Sequence, residues 1–303
     1  MSVSPRLRAI LLALLVTFLW STSWVLIKIA LAESPPLTFA GLRYSLAALL
    51  LLPGLWGRRA ALTVLPARDW RRLATLGLVF YTLTQGGQFA TLNHLPAVTF
   101  SLLLNFSSVL VALFGIVALR EIPSRVQWGG IALFLGGVAV YFLPLTGQGE
   151  STLGLALAGL TVCANAAAAV LGRGANRDAT MPPLVVTGVS MGVGAACLLG
   201  LGLATEGLPH LSLQSWAIVG WLAVVNTALA FTLWNRALQT LSAVESSMIN
   251  NTMLVQIALL AWLFLGEPLG PRQVAGLALA TVGIFLGHVR RSRREHSPGP
   301  TSR

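Results

Sequence analysis

Residues 95–130 read LPAVTFSLLLNFSSVLVALFGIVALREIPSRVQWGG, and residues 241–276 read LSAVESSMINNTMLVQIALLAWLFLGEPLGPRQVAG. At an offset of 146 the two stretches align without a gap. Ala97-Val98 pairs with Ala243-Val244, Ser101 with Ser247, Asn105 with Asn251, Glu121 with Glu267, Gln127 with Gln273 and Gly130 with Gly276. Gly137 pairs with Gly283 just beyond. Earlier in the chain, Pro35-Pro36-Leu37 with Gly41 recurs as Pro182-Pro183-Leu184 with Gly188, and Leu12, Ala13, Leu15, Val25, Leu26 and Lys28 recur as Leu157, Ala158, Leu160, Val170, Leu171 and Arg173. The chain is therefore read as one unit written twice.

Each copy is apolar almost throughout. Hydrophobic residues make up 55% of the 303 and charged residues only 10%, with a mean hydropathy of +0.78. A soluble domain carries about 25% charged residues, so the chain is expected in lipid. Runs bounded by charge, proline and polar clusters place spans near 9–31, 37–53, 72–92, 96–119, 125–143, 152–172, 183–204, 214–235, 242–265 and 271–289. The expected fold is an all-α integral membrane protein of ten transmembrane helices in two inverted five-helix repeats, residues 1–147 and 148–290, with a basic cytoplasmic tail at 291–303. Five is odd, so the second copy enters the membrane from the opposite side.

The charges test that count. Ten spans put 17 of the 20 basic residues on the side of the termini, leaving Lys28, Arg43 and Arg272. By the positive-inside rule both termini are expected on the cytoplasmic side, and nineteen arginines to one lysine hint at a GC-rich bacterial genome, hence a bacterial inner membrane. The first apolar stretch follows Arg6 and Arg8, but it is too long for a signal peptide and has no small-residue cleavage site, so it is read as an uncleaved span. The net charge of +11 is scattered between apolar runs, which argues against a nucleic-acid surface. Cys163 and Cys197 lie inside apolar runs and are expected to be small core residues, with no disulfide.

A polar side chain facing lipid is costly, so polar groups deep in spans mark a lining. By that criterion spans one, three, four, six, eight and nine line a central path. The candidate substrate-binding residues are Trp20, Tyr81, Gln85, Gln88, Asn105, Asn165, Trp234 and Asn251. Tyr81, Gln85 and Gln88 share a face at α-helical spacing. At the repeat offset that face becomes Thr227, Phe231 and Trp234. Aromatic faces with neutral amides suit a small amphipathic solute. Spans five and ten carry small residues at four-residue spacing and are assigned to helix packing.

Three charges need separate readings. Lys28 is expected to snorkel to the outer interface. Arg43 is a candidate for gating or for orienting an anionic group, with Glu33 as a possible loop partner. Glu245 could carry a proton, but Ser242-x-x-Glu245 also fits a capping box opening the ninth span, which is the preferred reading. No nucleotide fingerprint, metal-ligand spacing or nucleophile with a base is present, so no enzyme, cofactor or metal is expected. Expected partners are the bilayer and a small-molecule substrate, with the protein a monomer or weak homodimer.

FLWSTSWVLIKIAL (18–31), PPLTFAGLRYSLAALLLLP (35–53) and LAWLFLGEPLGPRQVAGLALATVGIFL (260–286) resemble the recurring segments of the EamA family of the drug/metabolite transporter superfamily. Ser21 stands beside Trp20 where the family often has glycine. The resemblance covers nearly the whole chain. It implies ten spans in inverted repeats, cytoplasmic termini, and export of amino acids, metabolites or toxic compounds. The aromatic lining looks most like the family's exporters of aromatic amino acids. An exporter of cationic drugs and a non-transporting membrane scaffold are the alternative readings.

Overall fold

The computed structural model describes residues 5–107, 109–110, 125–142, 151–177, 181–238, 240–241 and 249–288. Among these the chain is helical, without strands. The elements are α1 (Pro5–Ala30), α2 (Pro36–Trp56), α3 (Arg59–Thr63), α4 (Ala67–Gly77), α5 (Gly86–His94), α6 (Ala97–Leu104), α7 (Arg125–Phe142), α8 (Thr152–Arg177), α9 (Pro183–Glu206), α10 (Leu213–Ala223), α11 (Ala230–Leu238), α12 (Met253–Leu265) and α13 (Pro271–His288). Proline starts α2, α9 and α13, where a missing N–H costs nothing and a fixed φ favours the helix.

Four helices are long and apolar enough to cross a membrane: Pro5–Ala30, Pro36–Trp56, Thr152–Gly172 and Leu184–Glu206. Shorter apolar helices occupy Trp128–Phe142, Leu213–Leu229, Ile249–Leu265 and Pro271–Leu286. Parts of the expected fourth and ninth spans and the segment after the fourth, with Ser108, Glu121, Ser242 and Glu245, lie outside the described residues. Burial is arranged for lipid. Leu11, Phe18, Leu49, Leu160, Trp262 and Phe264 are exposed, while Thr17, Ser21, Arg43, Asn226 and Thr227 are buried.

Two departures from regular helix matter. α4 continues into α5 through a π-helical wide turn at Leu78–Gln85, and α10 continues into α11 through another at Val224–Leu229. Their first residues are 146 positions apart, the repeat offset itself. Widening a turn shifts the carbonyl ladder, and in each case a threonine hydroxyl donates to the carbonyl five residues back. Thr84 Oγ1 donates to the Val79 carbonyl at 2.9 Å, and Thr227 Oγ1 to the Leu222 carbonyl at 2.9 Å.

α7 and α13 pack by close backbone approach, as their small residues predict. A Cβ on Gly137 would lie 2.4 Å from the Ala280 nitrogen, and one on Gly283 would lie 2.4 Å from the Phe134 nitrogen. Both cysteines are exposed, contrary to the expectation of core residues. Outward-facing positions on a lipid-embedded helix accept a thiol as readily as a methyl group, so an apolar run alone does not say which way they point.

One end of the bundle is tied by charges. Glu206 accepts from the backbone nitrogens of Leu37 (3.1 Å) and Thr38 (2.8 Å) at the start of α2. Glu267 follows Gly266, whose positive φ of 66° ends α12 and turns the chain. Its carboxylate accepts from the Ala97 (2.7 Å) and Val98 (3.0 Å) nitrogens that open α6. Lys28 donates to the carbonyls of Leu92 and Leu95 at 2.6 Å each, closing α5. It does not snorkel. Unsatisfied helix ends supply a stronger partner than water at the interface.

Candidate functional site

The site grows from the two wide turns. At the first, Tyr81 is buried, edge-on to Tyr44 at 5.5 Å and to Phe80 at 4.8 Å. Gln85, one turn on, accepts from the Tyr44 hydroxyl at 2.8 Å. At the second, the Asn226 side-chain amide donates to the Leu19 carbonyl and to Thr22 Oγ1 (3.3 Å), and the backbone carbonyl of Asn226 accepts from Trp20 Nε1 at 3.1 Å. Trp20 also packs against Phe231 (5.5 Å) and Trp234 (5.2 Å).

Arg43 of α2 joins the two groups. Its Nη2 donates to Thr227 Oγ1 at 3.4 Å, and its guanidinium carbon lies 5.0 Å from the Tyr44 ring centre and 5.8 Å from that of Phe89. Only 5% of the residue is exposed. Glu33, the partner considered from sequence, is exposed in the loop before α2, and no ion pair between the two is formed. A loop carboxylate retains its hydration more cheaply than it follows a guanidinium into the bundle.

The expected lining is thus brought together in part. Trp20, Tyr81, Gln85 and Trp234 belong to this connected cluster. Asn165 is bonded elsewhere, donating to Ser107 Oγ at 2.9 Å. Asn105 spends an amide proton on the Ser101 carbonyl of its own helix at 2.7 Å. Asn251, its repeat counterpart, keeps a buried Nδ2 with no partner. Gln88 is partly buried, and the extra residue in the wide turn removes the strict α-helical phase that put it in line with Tyr81 and Gln85. Glu245 lies outside the described residues.

Sequence reasoning did not count Tyr44, Phe89, Asn226 or Thr227 among the substrate-binding candidates. The signal for Tyr44 was its place beside a charged residue inside an apolar run. A further network links Gln256 to Ser21 Oγ (2.9 Å), Thr17 Oγ1 (3.3 Å) and Thr252 Oγ1 (3.1 Å), tying α1 to α12. At the end of the bundle where α4 begins, a cavity of about 580 Å³ is lined by Arg68, Arg71, Arg72, Thr75, Val170 and Leu171. Among the described residues no group of three or more His, Cys, Asp or Glu side chains could hold a metal ion. The buried side-chain atoms without a hydrogen bond, among the described residues, are Arg43 Nε, Asn226 Oδ1 and Asn251 Nδ2. All three sit on spans of this interior.

The chain is similar to known proteins along most of its length. A transporter of Bacillus subtilis, "Uncharacterized transporter YvbV", is 30% identical, covering 93% of this chain and 92% of its own. A "Probable amino-acid metabolite efflux pump" of Salmonella typhimurium is 29% identical over 93% of this chain and 97% of its own. An S-adenosylmethionine/S-adenosylhomocysteine transporter of Chlamydia trachomatis is 26% identical over 92% and 87%. A solved crystal structure has the same fold, with a TM-score of 0.67 at 19% identity, covering 92% of this chain and 96% of that one. The sequence model of the EamA-like transporter family matches twice, at residues 7–143 and 152–287. With both matches spanning most of its length, the chain belongs to the EamA-like transporter family.

Proposed function

We propose that this protein is a secondary carrier that exports small amphipathic metabolites, neutral and aromatic amino acids foremost, from the cytoplasm across the inner membrane. The carrying observation is the contact of the two sequence halves through Arg43, Thr227, Trp20 and Asn226, in a cluster where aromatic rings alternate with hydrogen-bonding groups. Trp20, Tyr81, Gln85 and Trp234 would form the main wall of the substrate site. Asn251 would bring a free amide, and Gln88, Asn105 and Asn165 would complete the lining.

The internal repeat supports alternating access, in which ten spans form two inverted halves that exchange shapes about a site near the midplane. The carboxylates of Glu206 and Glu267 would then latch one half to the other at the outer end, with the termini cytoplasmic. No ATP site enters this reading, and Glu245 would serve as a helix cap. The protein would work as a monomer or weak homodimer.

Purified protein in liposomes should accelerate release of preloaded phenylalanine or threonine over empty vesicles, and no acceleration for any amino acid would sink the substrate assignment. A second reading is favoured by the Chlamydia trachomatis relative, whose named substrates join an adenosyl group to an amino acid. Exchange of labelled S-adenosylmethionine in the same vesicles separates the two.

A further inference from the structure

We propose that Arg43 is the anchor for a carboxylate, so that the transported molecule must present one, and that Thr227 holds the guanidinium when no ligand does. This rests on the carrier function proposed above and names the chemistry its substrates share.

A guanidinium stays charged at any physiological pH. Buried at 5% exposure in an apolar helix, it needs an anion or a full set of acceptors. It has neither among the described residues. One hydroxyl stands 3.4 Å from Nη2, at the far limit of a hydrogen bond, and two aromatic rings lie within 6 Å. Nε is buried without a partner.

The carboxylates of the described chain are engaged or distant. Glu206 and Glu267 cap helices, Asp69 lies 3.7 Å from Arg72, and Glu33 is exposed. Among the described residues none supplies the missing charge, and a ligand's carboxylate would. The Nε–Nη2 edge is the side of a guanidinium that grips both oxygens of one carboxylate, and here that edge carries only the long Thr227 contact. The Tyr44 and Phe89 rings beside it give the rest of such a ligand an apolar surface.

The test uses wild-type protein, Arg43→Lys and Arg43→Gln in liposomes, with phenylalanine and phenylalaninamide as probes. Wild type is expected to move phenylalanine about tenfold faster than the amide, and Arg43→Gln to lose that preference by raising KM for phenylalanine. Arg43→Lys should keep part of it. Equal wild-type rates for the two probes would overturn the proposal. So would an Arg43→Gln protein that slows both by one factor, since that is the mark of a packing role.

Thermal stabilisation by benzoate against benzamide reads the same site without transport. Stabilisation by benzoate alone in wild type, lost in a folded Arg43→Gln protein, supports the anchor. Equal shifts with both compounds, or none, overturn it. Should Arg43→Gln not fold, the wild-type probe ratio and the Arg43→Lys ratio decide instead. If wild type moves neither probe nor S-adenosylmethionine yet is stabilised by benzoate and not by benzamide, the transport reading fails and the anchor stands.

Discussion

The turn at Leu78–Gln85 and the turn at Val224–Leu229 occupy matching places in the two copies, and both are widened. Their contents differ. The first holds Tyr81 and Gln85 against Tyr44; the second holds Asn226 against the backbone of α1 and Thr227 against Arg43. The duplicated part is a backbone device, a wide turn that starts at matching positions. Each turn also has a threonine hydroxyl on the carbonyl five residues back, but the two threonines are not counterparts, since Thr227 matches Tyr81 and Thr84 matches Ala230. What has diverged is the set of side chains that the device presents. A π-turn rotates the residues after it relative to those before, so keeping the turn keeps the aim while the chemistry changes.

The largest test of this comparison concerns the residue just before each turn. It is Gly77 in the first copy and Ala223 in the second, both buried. A Cβ on Gly77 would lie 2.3 Å from the Ser190 carbonyl oxygen, which is backbone and cannot swing away. Gly77→Ala should therefore cost about 3 kcal/mol of stability, near the upper end for overpacking. The reverse change, Ala223→Gly, should cost about 1 kcal/mol through backbone entropy. Denaturant unfolding in mixed micelles measures both. Equal costs would mean that the two turns are packed alike and that the asymmetry lies only in their polar groups.

Next come the two threonines. Thr84→Val removes a hydroxyl from one displaced carbonyl and should cost about 1 kcal/mol. Thr227→Val removes the corresponding bond and also the one hydroxyl on a buried guanidinium, so about 2 kcal/mol is expected. If the two changes cost the same, Arg43 gains nothing from Thr227 and the contact between halves is incidental.

The end latches allow a smaller comparison. Glu267→Gln keeps shape but loses the charge that faces the first N–H groups of α6, for an expected loss of about 1 kcal/mol. Lys28→Met removes two bonds from the C-terminal carbonyls of α5 and should cost about as much. In the double variant the combined loss should fall short of the sum, because the two opposite charges face one turn and their attraction is lost only once. A strictly additive result would show that the two caps act independently.

These contrasts also show what was readable in advance. Four long apolar helices and four shorter ones fall on the expected apolar runs, and the α7–α13 pair followed from Gly137 and Gly283, since small residues at four-residue spacing have few uses besides close approach. Nothing in LVFYTLTQ or VVNTAL marks an extra residue in a turn, because both strings suit an α-helix equally well. Lys28 was misread for a related reason. Snorkelling depends only on depth in the membrane, whereas capping depends on where another span happens to end, and that is tertiary information. Tyr44 escaped because residues adjacent in a helix usually face apart, and here both Tyr44 and Arg43 meet the interior.

The smallest expected effect falls on the residues that the repeat made look equivalent. Asn105 and Asn251 match in sequence, yet Asn105 bonds its own helix while Asn251 keeps a buried amide nitrogen without a partner. If the cluster around Arg43 extends to a substrate site, the free amide is the one available to a ligand. Asn251→Ala should then raise KM for phenylalanine about fivefold, near the 1 kcal/mol of an ordinary hydrogen bond. Asn105→Ala should leave KM within about twofold, since its bond back to Ser101 is a local one that a helix replaces cheaply. Vesicle uptake at several substrate concentrations separates KM from maximal rate. The opposite ranking would place the substrate nearer the fourth span than the ninth, and would make the sequence symmetry a better guide to the site than the hydrogen bonds are.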